Sequence, residues 1–152
     1  MKAYKDILEK LPYTAPFLFV DELFHIDEEE ARGSYTFRPD AYFYKGHFKD
    51  FPVTPGVILT ECCAQIGLVC LGVHLLSRGG GNISEEGTAI ALSSSHMEFY
   101  LPVFPGERVT VYSEKEYFRF NKLKCTVKMY NTDNKLVCKG TLSGMLQRKT
   151  HG

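Results

Sequence analysis

Hydrophobic and polar residues alternate in the C-terminal half of the chain in a pattern that predicts antiparallel β-strands. Apolar side chains occupy every second position between residues 123 and 129: Leu123, Cys125, Val127 and Met129. The intervening positions are polar, and a period of two places one row of side chains in a core and the other in water. Turn-forming residues at 131–134 then separate this strand from a last strand, predicted over 135–147.

A long apolar stretch in the middle of the chain predicts a buried helix. It begins at Pro55-Gly56, continues to about Ser77 and is followed by Gly79-Gly80-Gly81, which favours helix termination. About 22 residues at 1.5 Å each give a helix roughly 33 Å long. Three polar residues interrupt the stretch: Glu61, Gln65 and His74. Because polar side chains are costly in lipid, we favour a helix buried in a soluble fold over membrane insertion.

Two strands predicted over 17–26 and 31–38 precede the helix, and strands resume from residue 88. The order of two strands, one long helix and three or four antiparallel strands predicts an α+β architecture, in which a curved sheet wraps the helix. The chain has 152 residues, which suits a single domain over residues 1–152.

Composition narrows the class of partner and compartment. The chain has 18 basic and 18 acidic residues, so it lacks the basic footprint of a nucleic-acid-binding protein. Its five cysteines form no Cys-x-x-Cys pair, and we interpret them as reduced core residues in a reducing compartment. Residues 1–10 contain no apolar signal-peptide region, so a cytoplasmic location is expected.

The residues that suggest chemistry lie between 46 and 65. His47 falls in an irregular loop, and Glu61 follows 14 positions later, in the second turn of the helix. Gln65 is four residues after Glu61 and therefore shares its face. Burial would raise the pKa of Glu61 and make it a proton donor, unless it pairs with a nearby Lys or Arg. Gly56 is either a packing residue or a source of an N–H group for a developing negative charge.

This segment resembles the β-hydroxyacyl-acyl-carrier-protein dehydratases of fatty acid synthesis. The resemblance rests on five motifs: Gly46-His47-Phe48, Pro52-Val53, Pro55-Gly56-Val57, Glu61 and Ala64-Gln65. It is to the Glu-bearing, dehydratase-only class, because the dehydratase/isomerase class has Asp at that helix position. Weaker matches at 11–21, interpreted as the opening strand, and at 99–107, interpreted as a later strand turn, extend it to about residues 11–146.

The resemblance implies a hot-dog fold and an active site at a dimer interface, with dimers often assembled into hexamers. His47 of one subunit would face Glu61 of the other. The substrate would be a (3R)-3-hydroxyacyl group on the phosphopantetheine arm of an acyl carrier protein, and the products a trans-2-enoyl thioester and water. No metal or organic cofactor would be required.

Each residue type suits a step of that elimination. His47 would remove the α-proton, and Glu61 would protonate the departing hydroxyl directly or through a water. The N–H of Gly56 would stabilise charge on the thioester oxygen. Gln65 would hold Glu61 or the water, and Val53 would help to position the site. The aromatic loop at 42–51 would line an apolar tunnel for the acyl chain.

The chain departs from the family pattern at several positions. Tyr13 replaces a His, Lys49-Asp50 a Pro-Gly, Thr54 an apolar residue that is often Met, and Ser94-Ser95 an Ile-Asp pair. These departures suggest a specialised paralogue acting on polyene, pigment or lipid-A-type chains. Three other functions remain open. The pairing of a His with a Glu argues against a hot-dog acyl thioesterase and against a non-catalytic acyl-chain-binding subunit. Glu61 in place of Asp disfavours the third, isomerase activity, by analogy with the family.

Overall fold

In the computed structural model, the described part of the chain comprises residues 2–78 and 88–148. Its helices are α1 (Lys2–Glu9), a short 3-10 helix (Tyr42–Lys45), and a central helix made of α2 (Gly56–Ala64), a π segment (Gln65–Val69) and α3 (Cys70–Arg78). The strands are β1 (Glu22–Ile26), β2 (Glu30–Thr36), β3 (Thr88–Phe99), β4 (Arg108–Arg119), β5 (Lys122–Tyr130) and β6 (Leu136–Arg148).

The six strands form one antiparallel sheet in the order β1-β2-β4-β5-β6-β3. The apolar residues predicted to face the core from β5 are all fully buried. They join the central helix in a single hydrophobic core, where Ile66, Leu68 and Leu71 are at most 1% exposed. A curved antiparallel sheet around one long helix is the hot-dog architecture, so the predicted fold is confirmed.

By length and composition alone, the central helix is long and apolar enough over Gly56–Ser77 to cross a membrane. However, 78% of its most apolar stretch is buried inside the protein. This burial supports the interpretation of the segment as a core helix. All five cysteines are buried and free, as predicted.

A π segment interrupts the central helix where it crosses the sheet. Gly67 lies so close to the sheet that a Cβ atom there would come within 2.9 Å of Ser113 and Val127 side-chain atoms. The Ser113 hydroxyl donates a 2.8 Å hydrogen bond to the Gly67 carbonyl oxygen. The π segment and β4 are thus in direct contact at Gly67 and Ser113.

The predicted strand boundaries at the N-terminal side were wrong. The first strand was expected over 17–26, yet β1 begins only at Glu22, so residues 11–21 are not an opening strand. In residues 17–21, the side chain of Gln65 bonds the Phe19 N–H and the Phe17 carbonyl. The second strand was expected to reach residue 38 but ends at Thr36. The predicted glycine terminator at 79–81 lies outside the described residues.

Candidate active site

Gln65 is the most highly connected polar side chain of the site. It is fully buried at the start of the π segment. Its Oε1 accepts a 2.7 Å bond from the Phe19 N–H, and its Nε2 donates to the Phe17 carbonyl at 3.0 Å and to Glu61 Oε2 at 2.9 Å. Every polar atom of the amide therefore has a partner, which fixes the orientation of the side chain.

Glu61 is half-buried on the same helical face, as the four-residue spacing predicts. Burial raises the pKa of the Glu61 carboxyl, and the hydrogen bond from Gln65 opposes that rise. Among the described residues, no Lys or Arg forms an ion pair with Glu61. Within the described residues the alternative of a simple Glu61 salt bridge is therefore not observed, and burial favours the protonated carboxyl.

Tyr13 lies near Glu61. From the sequence, Tyr13 was noted only as a residue that departs from the family pattern. Burial raises the pKa of Tyr13 to about 12, and the nearby Glu61 contributes to the rise. The Tyr13 ring lies 6.3 Å from that of Phe17, whose carbonyl binds Gln65. A neutral phenol thus lies near the Glu61 carboxyl.

His47 is held by the backbone of its own loop. Its Nδ1 lies 2.8 Å from the Val53 carbonyl oxygen, and the Val53 N–H donates to the His47 carbonyl at 2.8 Å. Because a carbonyl oxygen only accepts, Nδ1 carries a proton and donates it in this bond. In the neutral imidazole, Nε2 is then the atom left to accept a proton.

Gly56 is the first residue of α2 and follows Pro55. Its N–H lies in the first helical turn, where backbone donors have no intrahelical acceptor and the helix dipole is positive. A Cβ at this position would contact the Phe99 ring at 3.4 Å. A cavity of about 250 Å³ beside it is lined by Thr54, Leu59 and residues 99–102.

The structure brings some predicted site residues together and keeps others apart. Glu61 contacts Gln65, and His47 contacts Val53. Among the described residues, no hydrogen bond joins His47 to Glu61 within one chain. The functional roles of His47, Val53, Gly56, Glu61 and Gln65 stay predictions.

The aromatic loop is partly exposed in the single chain. Phe48 and Phe51 are 56% and 60% exposed, and Phe51 packs against Phe104 with ring centroids 5.7 Å apart. A larger cavity, of about 540 Å³, lies between residues 15–21 and residues 38–43. Its lining is mainly apolar, which is typical of a pocket for an acyl chain.

Comparison with known proteins shows the family of this chain. Residues 11–142 match the model of the FabA-like domain. The chain is 32% identical over 149 residues to the 3-hydroxyacyl-[acyl-carrier-protein] dehydratase FabZ of Sinorhizobium medicae, covering 95% of this chain and 90% of that one. It is 36% identical over 116 residues to the protein of that name from Protochlamydia amoebophila, covering 74% and 69%.

Solved structures support the fold. The dehydratase heterocomplex ApeI:P from Xenorhabdus doucetiae matches with a TM-score of 0.77 at 12% identity, covering 94% of this chain and 91% of that chain. A hypothetical thioesterase with coenzyme A from Streptococcus pneumoniae matches with a TM-score of 0.59 at 12% identity, covering 99% of both. With a domain match over most of its length and relatives at 30% identity or more, the chain belongs to the FabA-like family.

Proposed function

We propose that this protein is a hydro-lyase that removes water from (3R)-3-hydroxyacyl groups carried by an acyl carrier protein, giving trans-2-enoyl thioesters. The observation that carries the proposal is the hydrogen bond between the buried Gln65 and the half-buried Glu61, whose carboxyl has a raised pKa and no basic partner among the described residues. A carboxyl with a raised pKa holds its proton to higher pH than an ordinary Glu, which suits it to donate that proton. Relatives named as FabZ dehydratases support the same reaction.

In this proposal His47 is the base. Its Nδ1–H donates to the Val53 carbonyl, so Nε2 would take the α-proton of the substrate. The C–H bond electrons would form the new double bond as the 3-hydroxyl departs. Glu61 would give its proton to that hydroxyl, which leaves as water.

Negative charge would build on the thioester oxygen during proton removal. The Gly56 N–H, at the positive end of α2, would stabilise that charge. Gln65 would keep Glu61 in place, because its amide is anchored to the Phe17 and Phe19 backbone. No metal or organic cofactor enters these steps.

We further propose that two subunits complete each site. His47 and Glu61 share no hydrogen bond within the chain, and the loop after His47 exposes Phe48 and Phe51. A homodimer, or a trimer of dimers, would pair His47 of one subunit with Glu61 of the other. The single unit of residues 1–152, its cytoplasmic location and a specialised acyl substrate remain parts of this proposal.

The proposal is tested by following hydration of crotonyl thioesters, on carrier protein and on coenzyme A, through the loss of enoyl absorbance. We expect activity in the wild type and a fall of about 10²-fold or more in His47→Ala and in Glu61→Gln, because each removes one proton carrier. A wild type inert on every thioester tried would contradict the proposal. Release of free thiol without hydration would indicate the thioesterase alternative.

A further inference from the structure

Two buried hydroxyl groups form a hydrogen bond between the two ends of the loop that carries His47. Tyr44 Oη and Thr54 Oγ1 lie 2.6 Å apart and share a hydrogen bond. Tyr44 is 6% exposed and Thr54 is 4% exposed. Burial raises the pKa of the Tyr44 phenol above its ordinary value of about 10, so the phenol is neutral near pH 7.

The tip of the same loop is exposed in the single chain. Phe48 and Phe51 are largely exposed, as are Lys49 and Asp50 between them. Besides the packing of Phe51 against Phe104, the position of the loop therefore depends on the contacts at its two ends, where Tyr44 and Thr54 lie.

The peptide unit between Val53 and Thr54, at one end of the loop, links the Tyr44–Thr54 contact directly to His47. Its carbonyl oxygen accepts the bond from His47 Nδ1, and its N–H donates to the Val103 carbonyl at 2.8 Å. The Thr54 side chain forms the hydrogen bond with Tyr44, so Thr54 is held by both its backbone and its hydroxyl group. A rotation of this peptide plane would therefore turn the carbonyl that orients the imidazole.

We propose that the Tyr44–Thr54 hydrogen bond is a buried clamp that positions His47, with Tyr44 and Thr54 acting as positioning residues. The inference rests on the proposed function, in which His47 Nε2 is the base. Its consequence is that loss of the clamp lowers the rate of proton transfer more than substrate affinity. A displacement of about 1 Å at a catalytic group costs up to about 10²-fold in rate.

The test is a double-variant comparison. Thr54→Val and Tyr44→Phe each leave the other hydroxyl buried without its partner, so each lowers stability, whereas the double variant removes both hydroxyls and recovers stability. We expect kcat to fall about tenfold in all three, with KM changed less than about twofold. Thr54→Ser keeps the hydroxyl and is expected to restore most of kcat.

A second measurement does not depend on activity. The 15N chemical shifts of the His47 ring report whether Nδ1 carries the proton. In the double variant we expect these shifts to move toward the values of a mixture of tautomers. In Thr54→Ser we expect them to stay at their wild-type values. Unchanged ring shifts and wild-type kcat in the double variant would overturn the clamp. If the wild type itself is inert on thioesters, the proposed function fails, and the ring shifts alone decide on the clamp.

Discussion

Replacing Gln65 with Leu tests whether the buried amide holds the site together. The substitution keeps the approximate volume but removes three hydrogen bonds, to the Phe19 N–H, the Phe17 carbonyl and Glu61. Phe19 is 1% exposed, so its N–H would stay buried without an acceptor, at a cost of about 1–3 kcal/mol. Phe17 is 42% exposed, and its carbonyl can turn to water.

The two remaining bonds contribute about 1 kcal/mol each, and burial of the Leu side chain offsets about 1–2 kcal/mol. We therefore expect the free energy of unfolding to fall by about 3 kcal/mol. For a chain of this size that corresponds to a drop of about 6–12 °C in Tm. Urea and thermal unfolding at one fixed protein concentration would measure it, since an oligomer's stability depends on concentration.

The pH dependence separates this explanation from a simple packing defect. Burial already raises the pKa of Glu61, and loss of the Gln65 bond raises it further. A carboxyl whose folded-state pKa is raised destabilises the fold as the pH rises above its unfolded value of about 4.3. The stability loss in Gln65→Leu should thus be smaller at about pH 4 than near pH 7.

Ser77→Ala is the matched control, because it removes one side-chain hydrogen bond from the same helix, to the Val73 carbonyl, at an exposed position. We expect it to change stability by less than about 0.5 kcal/mol. A Gln65→Leu protein within that same range of the wild type, at every pH, would refute the reasoning.

Two further predictions concern packing and charge. Gly140→Ala should cost about 1–3 kcal/mol in urea unfolding, because a Cβ there collides with the His96 carbonyl oxygen of β3. Gly46→Ala, where nothing lies within 4 Å of the new Cβ, is the control, and equal stability of the two variants would contradict the expectation. The Asp27 carboxyl should titrate with a pKa of about 2 by NMR, since it accepts from two backbone N–H groups and from His25. Its contribution to stability is present above its unfolded pKa and lost as the pH falls toward 2, and a midpoint near the ordinary value of about 3.9 would contradict this.

The sequence predicted the elements whose pattern is local and periodic. The alternation in β5 and the apolar run of the central helix are set by which side chains avoid water, so both were readable without tertiary information. The spacing of Glu61 and Gln65 likewise predicted their contact, because an α-helix brings residues four apart together.

The missed features depend on contacts between distant segments. Residues 17–21 have the composition of a strand, but the Gln65 side chain, 46 positions after Phe19, occupies a backbone donor there. The π segment follows from the close approach of Gly67 to Ser113, which no local pattern encodes. For the Tyr44–Thr54 pair, the sequence showed only that Thr54 stands where the family pattern has an apolar residue. The spacing of residues did not identify Tyr44 as the partner of Thr54.

The π segment also bears on how the length of this helix can vary among relatives. A π turn accommodates about one more residue than an α turn, so the residues on either side keep the same rotational phase. A relative with one residue fewer within Gln65–Val69 could form an uninterrupted α-helix, and both flanking faces would still meet the sheet. In such a relative the carbonyl that Ser113 binds here would be displaced relative to β4, and a non-polar residue at the position of Ser113 would be the expected companion change.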